Sequence, residues 1–289
     1  MRVVRTVAEV RAHVTTARAA GRTVGLVPTM GAFHGGHHTL MRIARECCDE
    51  VVVSLFVNPA QFNESGDLAG YPRDEARDAA EAAEIGVDLL FAPPVDEVYP
   101  AGFATSVSVG GLAEVLEGAA RGPGHFAGVC TVVCKLLNMV APDVAYFGQK
   151  DAQQVAVLRR MVRDLDIPVA IEVIPTVREP DGLAMSSRNG RLSPEERLRA
   201  VGLSRALRAA EAAVDGGERD AARVRAAAAA ALDGVTPEYL ALVDPDTFDP
   251  VQTVNGRVLV AVAARVGTTR LIDNITVHTA ATPGGAPTS

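Results

Sequence analysis

Tryptophan is absent from this chain, and aromatic residues of all kinds make up only 4% of it, so the core must be built from aliphatic side chains. Four cysteines in 289 residues are too few for a disulfide framework. Positive charge is also scarce. Against 35 acidic residues there are 28 basic ones, a net charge of −7. That balance argues against nucleic acid or a membrane surface as a partner and favours a small substrate. No apolar run approaches the roughly 20 residues that cross a bilayer. The opening stretch MRVVRTVAEV carries charges throughout and has no signal-like apolar core, which makes a cytoplasmic protein the expectation. What is plentiful is hydrophobic residues, 48% of the chain, enough for a large core divided between two domains.

Residues 1–178 read as alternating strands and helices. Short apolar runs at 23–27, 51–57, 88–91, 143–147 and 169–174 predict strands, and 40–48, 73–85, 127–140 and 152–165 predict helices. The run VVVSLFV shows no polar alternation, as expected of a strand covered on both faces. Strand–helix alternation predicts parallel βαβ units, hence a Rossmann-like, doubly wound α/β domain. Beyond it, 194–213 and 218–232 predict alanine-rich helices, and 239–243, 257–264 and 270–278 predict an antiparallel meander. These make residues 179–289 a smaller α+β domain that ends in a disordered tail at 281–289.

Parallel sheets bind ligands at the carboxyl ends of their strands, and three motifs sit just there. The first is HGGH. Three of the six histidines fall within the five positions 34–38. Gly35 and Gly36 would let a bulky anion approach the backbone N–H groups, and a helix starting there would add the positive end of its dipole. His34 and His37 could then donate to phosphate oxygens and stabilise charge on leaving pyrophosphate. Plain turn residues, or two of three metal ligands, are the competing readings, though the metal reading lacks a convincing third ligand nearby.

GQKD is the second motif, with Lys150 as a point charge for phosphate. Asp151 could cap the next helix, and Gln153 and Gln154 would face solvent or the site. The third is FVNPAQF, where Asn58 and Gln61 offer neutral amides suited to a hydroxylated carboxylate. A long polar loop, TVREPDGLAMSSRNGRLSPEE, sets Ser186, Ser187 and Arg188 together, a grouping that suits a triphosphate and a closing lid. Ser193 is the better cap for the helix after it, with Pro194 at N1 and Glu196 at N3. Cys130 and Cys134 lie one turn apart on a helix, but no second pair has zinc-site spacing. They read as buried thiols, and no metal site is assigned.

Taken together, PTMGAFHGGH, FVNPAQF, GHFAGVCTVVCKLLN, YFGQKDAQQ and PTVREPDGLAMSSRN resemble the pantoate–β-alanine ligase family of the HxGH nucleotidylyltransferase superfamily, and VGTTRLIDNI near the end fits the same resemblance. The resemblance implies condensation of pantoate with β-alanine, with ATP as co-substrate, through a pantoyl adenylate. It implies catalytic roles for His37, His34 and Lys150. Met30, Gly31, Ala32, Phe33, His34, Gly35, Gly36 and His37 would line the ATP site. So would Gly148, Gln149, Lys150 and Asp151, with Val177, Met185, Ser186, Ser187 and Arg188 closing over the nucleotide. Gln61 would contact pantoate and β-alanine, and Gln154 would contact pantoate. Mg²⁺ would travel with ATP, and the protein would be a homodimer. HxGH alone would also serve an enzyme that transfers AMP to a phosphate acceptor. The chain departs from the family pattern at Gly35, often acidic; at Ala152, often aromatic; and at Gly122, where an arginine usually precedes the proline and Arg121 here lies one place early.

Overall fold

The computed structural model describes residues 1–62, 68, 70–122 and 124–279; the expected disordered tail lies outside them. The chain divides into two compact units. One holds Met1–Gln149 and Gln153–Val177; the other holds Lys150–Ala152 and the chain from Arg178 onward.

The first unit is built on a six-stranded sheet. Its strands are β1 (Arg2–Val4), β2 (Val24–Thr29), β3 (Glu50–Leu55), β4 (Leu89–Phe91), β5 (Val144–Gly148) and β6 (Ala170–Ile174), in the order β1-β4-β3-β2-β5-β6. Every pairing is parallel. Helices cover both faces, which is why β2 and β3 are apolar without alternation. Val52 belongs to one core with Val10, Val14, Phe126 and Leu136. Its neighbours Val51 and Val53 belong to the other, with Leu40, Met41, Ala44 and Ala82. Period-two geometry sends successive side chains to opposite faces, and here both faces are dry. This is the doubly wound architecture expected from the alternation.

Two elements near the N-terminus go beyond the sequence reading. β1 and the helix Val7–Ala19 occupy the N-terminal stretch, where neither was expected. The helix is opened by a capping box in which Thr6 accepts from the Glu9 backbone N–H and Glu9 reaches back to the cap. Val10, Val14 and Ala17 form its buried stripe.

In the second unit, β7 (Pro237–Val243), β8 (Arg257–Val266) and β9 (Thr269–His278) form the expected antiparallel meander. The helices Pro194–Asp215 and Ala221–Ala230 share its core, through Leu203, Leu207 and Val224 with Val258, Val260 and Leu271. Ser193 caps the longer helix with Glu196 completing the box, as its sequence indicated. Among the described residues, no helix is long and apolar enough to cross a membrane.

Candidate active site

Strand order places the motifs. β2 lies between β3 and β5, and the chain leaves all three strands at the same end of the sheet. β2 leads to Met30–His37, β3 to Asn58–Gln61 and β5 to Gly148–Gln149. The winding of the sheet reverses between β2 and β5, which is where ligands settle in open parallel sheets. A Cβ added at Gly148 would meet nothing within 4 Å, so the end of β5 borders open space.

The turn after β2 is held from behind. Ala32 has a φ of 53° and Gly31 a φ of 82°, so two consecutive residues sit in left-handed conformations. Asp78, only 2% exposed, keeps them there. Its two carboxylate oxygens accept from the N–H groups of Ala32 and Phe33, each at 2.9 Å. Gly31 is required beside it, because a Cβ there would lie 2.8 Å from Asp78 Oδ2.

The helix that follows spans Gly35–Cys47, several residues earlier than its apolar positions predict. His34 is its N-cap, with Nδ1 accepting from the Gly36 N–H at 3.1 Å. A ring nitrogen that accepts carries no proton, so the proton of the neutral His34 ring sits on Nε2. The His37 ring lies one turn on, with centroids 4.2 Å apart and planes tilted by 41°. Phe33 backs His37 at 5.5 Å. Two imidazoles thus stand at the positive end of a helix dipole. His38 is not part of this group; its Nε2 pairs with Glu81 at 2.8 Å.

The turn after β3 is equally fixed. Asn58, 1% exposed, uses both ends of its amide. Oδ1 accepts from Tyr99 Oη at 2.8 Å and from the Ala60 N–H at 3.3 Å. Nδ2 donates to Gln61 Oε1 at 3.0 Å and to the Gly128 carbonyl at 3.1 Å. Gln61 is thereby oriented, with its Nε2 3.2 Å from Met30 Sδ on the neighbouring turn. His125 Nδ1 donates to the Gln61 carbonyl at 3.0 Å. Burial pushes the Tyr99 hydroxyl up to about 12, which keeps it a donor at neutral pH. Helix Gly124–Val140 docks close enough that a Cβ on Gly128 would fall 2.2 Å from the Ala60 carbonyl oxygen. Sequence reasoning reached Asn58 and Gln61 but not Tyr99 or Asp78, which support the two turns from distant parts of the chain.

Gln153 is neither solvent-facing nor free for a ligand, contrary to expectation. It is 4% exposed and fastens an irregular segment, accepting from the Glu117 N–H at 2.9 Å and donating to the carbonyls of Leu112 and Val115 at 2.7 and 2.8 Å. Gln154, next on the helix Ala152–Asp164, is half-buried. The early Arg121 pairs with Glu117 at 3.0 Å, one turn back on its own short helix.

In the second unit, Lys150 lies in a 3-10 turn, Gln149–Asp151, with its Nζ 3.7 Å from Asp151 Oδ1. The segment after Val177 is braced. Arg178 bridges to Ala184, closing a tight loop around Gly182. Ser186 caps the 3-10 turn Ser187–Arg191 through the Arg188 N–H at 3.2 Å. Asn189 donates to Glu179 at 2.7 Å and to the Ala184 carbonyl at 3.0 Å, and Arg197 grips Glu179 and Asp181 at 2.5 and 2.8 Å. Ser186, read as a hydroxyl available to a triphosphate, therefore also organises its own turn.

Among the described residues no group of three or more His, Cys, Asp and Glu side chains is arranged to hold a metal ion. Cys130 is fully buried, and burial pushes its thiol up to about 12; burial also raises Cys134. Neither is a thiolate at neutral pH. A thiol-alkylating reagent at pH 7 is expected to label the exposed Cys47 in the folded protein and leave Cys130 untouched until denaturant is added, as peptide mass spectrometry would report.

A family model described as pantoate-beta-alanine ligase matches residues 2–276. The chain belongs to the pantoate–β-alanine ligase family. It is 54% identical over 286 residues to the pantothenate synthetase of Heliobacterium modesticaldum, covering 96% of this chain and 100% of that one. Among solved structures, the pantothenate synthetase of Thermus thermophilus is 49% identical with a TM-score of 0.91, over 96% of this chain and 100% of that chain. The pantoate–β-alanine ligase of Francisella tularensis, solved in complex with beta-gamma ATP and beta-alanine, is 33% identical with a TM-score of 0.78, over 95% of this chain and 97% of that one. The family match spans both units.

Proposed function

We propose that this chain condenses pantoate with β-alanine in the cytoplasm at the expense of ATP. In the first step the pantoate carboxylate attacks the α-phosphorus, forming pantoyl adenylate and releasing pyrophosphate. In the second the β-alanine amine attacks the acyl carbon, the C–O bond to AMP breaks, and pantothenate and AMP leave. The observation that carries this reading is the close, tilted His34–His37 pair at the start of the helix after β2, in a chain of this family.

His34, with its proton on Nε2, would donate to a phosphate oxygen, and His37 would donate where charge accumulates on departing pyrophosphate. Lys150 would meet the same charge as a point cation. Met30–Phe33, Gly35, Gly36, Gly148, Gln149 and Asp151 would line the nucleotide, and Val177 with Met185–Arg188 would close over it. Gln61 would present its amide to pantoate and β-alanine, and Gln154 to pantoate. The adenylate is already activated, so no side-chain nucleophile is needed; the residues position reactants, stabilise charge and exclude water. Mg²⁺ would ride on the triphosphate, which would itself supply most of the ion's ligands. Its chemistry when bound is to neutralise phosphate charge.

Incubating the protein with ATP, Mg²⁺ and each combination of the two acids tests the reading. AMP is expected only when pantoate and β-alanine are both present. AMP transfer to a phosphate acceptor without any amine would refute it. The assembly implied is a homodimer, for which light scattering should return twice the chain mass of 30.2 kDa.

A further inference from the structure

The strand β9 breaks its own pattern at one place. Alternate residues Leu271, Asp273 and Val277 are buried on the side of the second unit's core, while Ile272, Thr276 and His278 on the other side are half-buried or exposed. Asn274 belongs to that second side yet is only 4% exposed, and Asp273 is only 3% exposed. Two adjacent polar residues on an edge strand are therefore buried on opposite faces. Polar burial of this kind needs partners, and the partners identify its use.

Asn274 Nδ2 donates to the backbone carbonyl of Lys150 at 2.8 Å. Asp273 takes the Arg178 guanidinium in a two-pronged grip, 2.6 Å to Nη1 and 3.1 Å to Nη2. The same Nη1 donates to the Gly182 carbonyl at 3.1 Å, closing the base of the segment that carries Ser186–Arg188. A further bond, from the Asn274 N–H to Asp273 Oδ1 at 2.8 Å, joins the two positions. We propose that Asp273 and Asn274 are positioning residues for ATP: one dipeptide sets the backbone under Lys150 and also the root of the serine–serine–arginine segment. Neither side chain touches the reacting atoms. Each acts through a group assigned to the nucleotide's phosphates, so the inference rests on the ligase reading.

The two half-reactions separate this role from a general structural one. Lys150 and Ser186–Arg188 serve the step that uses ATP, whereas attack of β-alanine on preformed pantoyl adenylate does not need the triphosphate. Asn274→Asp keeps the size but turns an acceptor toward the Lys150 carbonyl. It is expected to lower kcat/KM for ATP in pantoate-dependent pyrophosphate exchange by roughly tenfold to a hundredfold, while the amide-forming step stays within about twofold. Asp273→Asn, which weakens the grip on Arg178, should raise the KM for ATP in the same assay. Asn274→Ser removes the long donor without burying a carboxylate, so it serves if Asn274→Asp does not fold. Circular dichroism checks folding, and calorimetric titration with ATP reads affinity directly. Equal losses in both half-reactions, or unchanged ATP affinity in folded Asn274→Ser, would overturn the proposal. Should the unmodified protein bind ATP yet form no AMP, the ligase reading fails, and the titration still reports on positioning.

Discussion

His37→Ala is expected to slow pantoyl-adenylate formation by roughly two to three decades, equivalent to about 3–4 kcal/mol of lost transition-state stabilisation. The effect should appear in kcat of the first half-reaction, because charge builds on the phosphates only as the bond to pyrophosphate breaks. His34→Ala removes a neighbouring imidazole from the same turn, but it also deletes the bond from Gly36 to Nδ1 that caps the helix. It should therefore lower thermal stability as well, by about 1 kcal/mol. Pyrophosphate exchange and melting curves on both variants separate the roles. A His37→Ala enzyme with near-normal exchange would remove His37 from the mechanism.

Asp78→Ala is the second change with a large expected effect. It strips acceptors from two N–H groups in a turn that already holds Ala32 at a φ of 53°. Each buried N–H left unpaired costs about 1–3 kcal/mol, so a loss of several kcal/mol in stability is expected. The turn would relax toward ordinary dihedrals and carry His34 and His37 out of place, which alone can cost about a hundredfold in rate. Asp78→Asn sharpens the test. An amide has one acceptor where the turn needs two, and its NH₂ would face a backbone donor. The asparagine variant should therefore fail alongside the alanine variant, in both melting temperature and exchange rate. An asparagine enzyme that behaves like the parent would show that the paired acceptors are not what holds the turn.

What could be read in advance follows from where information sits along the chain. β2 and β3 fall on short, largely apolar runs of strand length, as suits strands covered on both faces. Ser193-Pro-Glu-Glu is a local capping signal that needs nothing from elsewhere in the fold. The turn at 34–37 was legible because two glycines set between two histidines are a local pattern as well. β1 was not, since three residues with only Val4 buried carry almost no pattern. The helix Val7–Ala19 has its stripe at Val10, Val14 and Ala17, hidden among arginines and threonines; the Thr6–Glu9 capping box was the available clue. The start of the Gly35–Cys47 helix was obscured by two glycines, whose poor helix propensity is overridden by the His34 cap and by packing. Asp78 sits in an alanine–glutamate–arginine helix that reads as a solvated face, and only tertiary structure turns it inward. Gln153 is a similar case. Its amide satisfies backbone groups about 40 residues away, and nothing near it in the chain announces them.

The division of the chain bears on how it can be taken apart. It passes from one compact body to the other between 149 and 150, returns between 152 and 153, and passes again between 177 and 178. A cut at the last junction, the natural place to split a two-domain protein, would send Lys150 away with the N-terminal piece and leave Asn274 behind. Such a piece would keep its sheet and both imidazoles but lose the anchor beneath its lysine. Limited proteolysis or gene truncation at that junction would therefore separate Lys150 from Asn274, the donor to its backbone carbonyl.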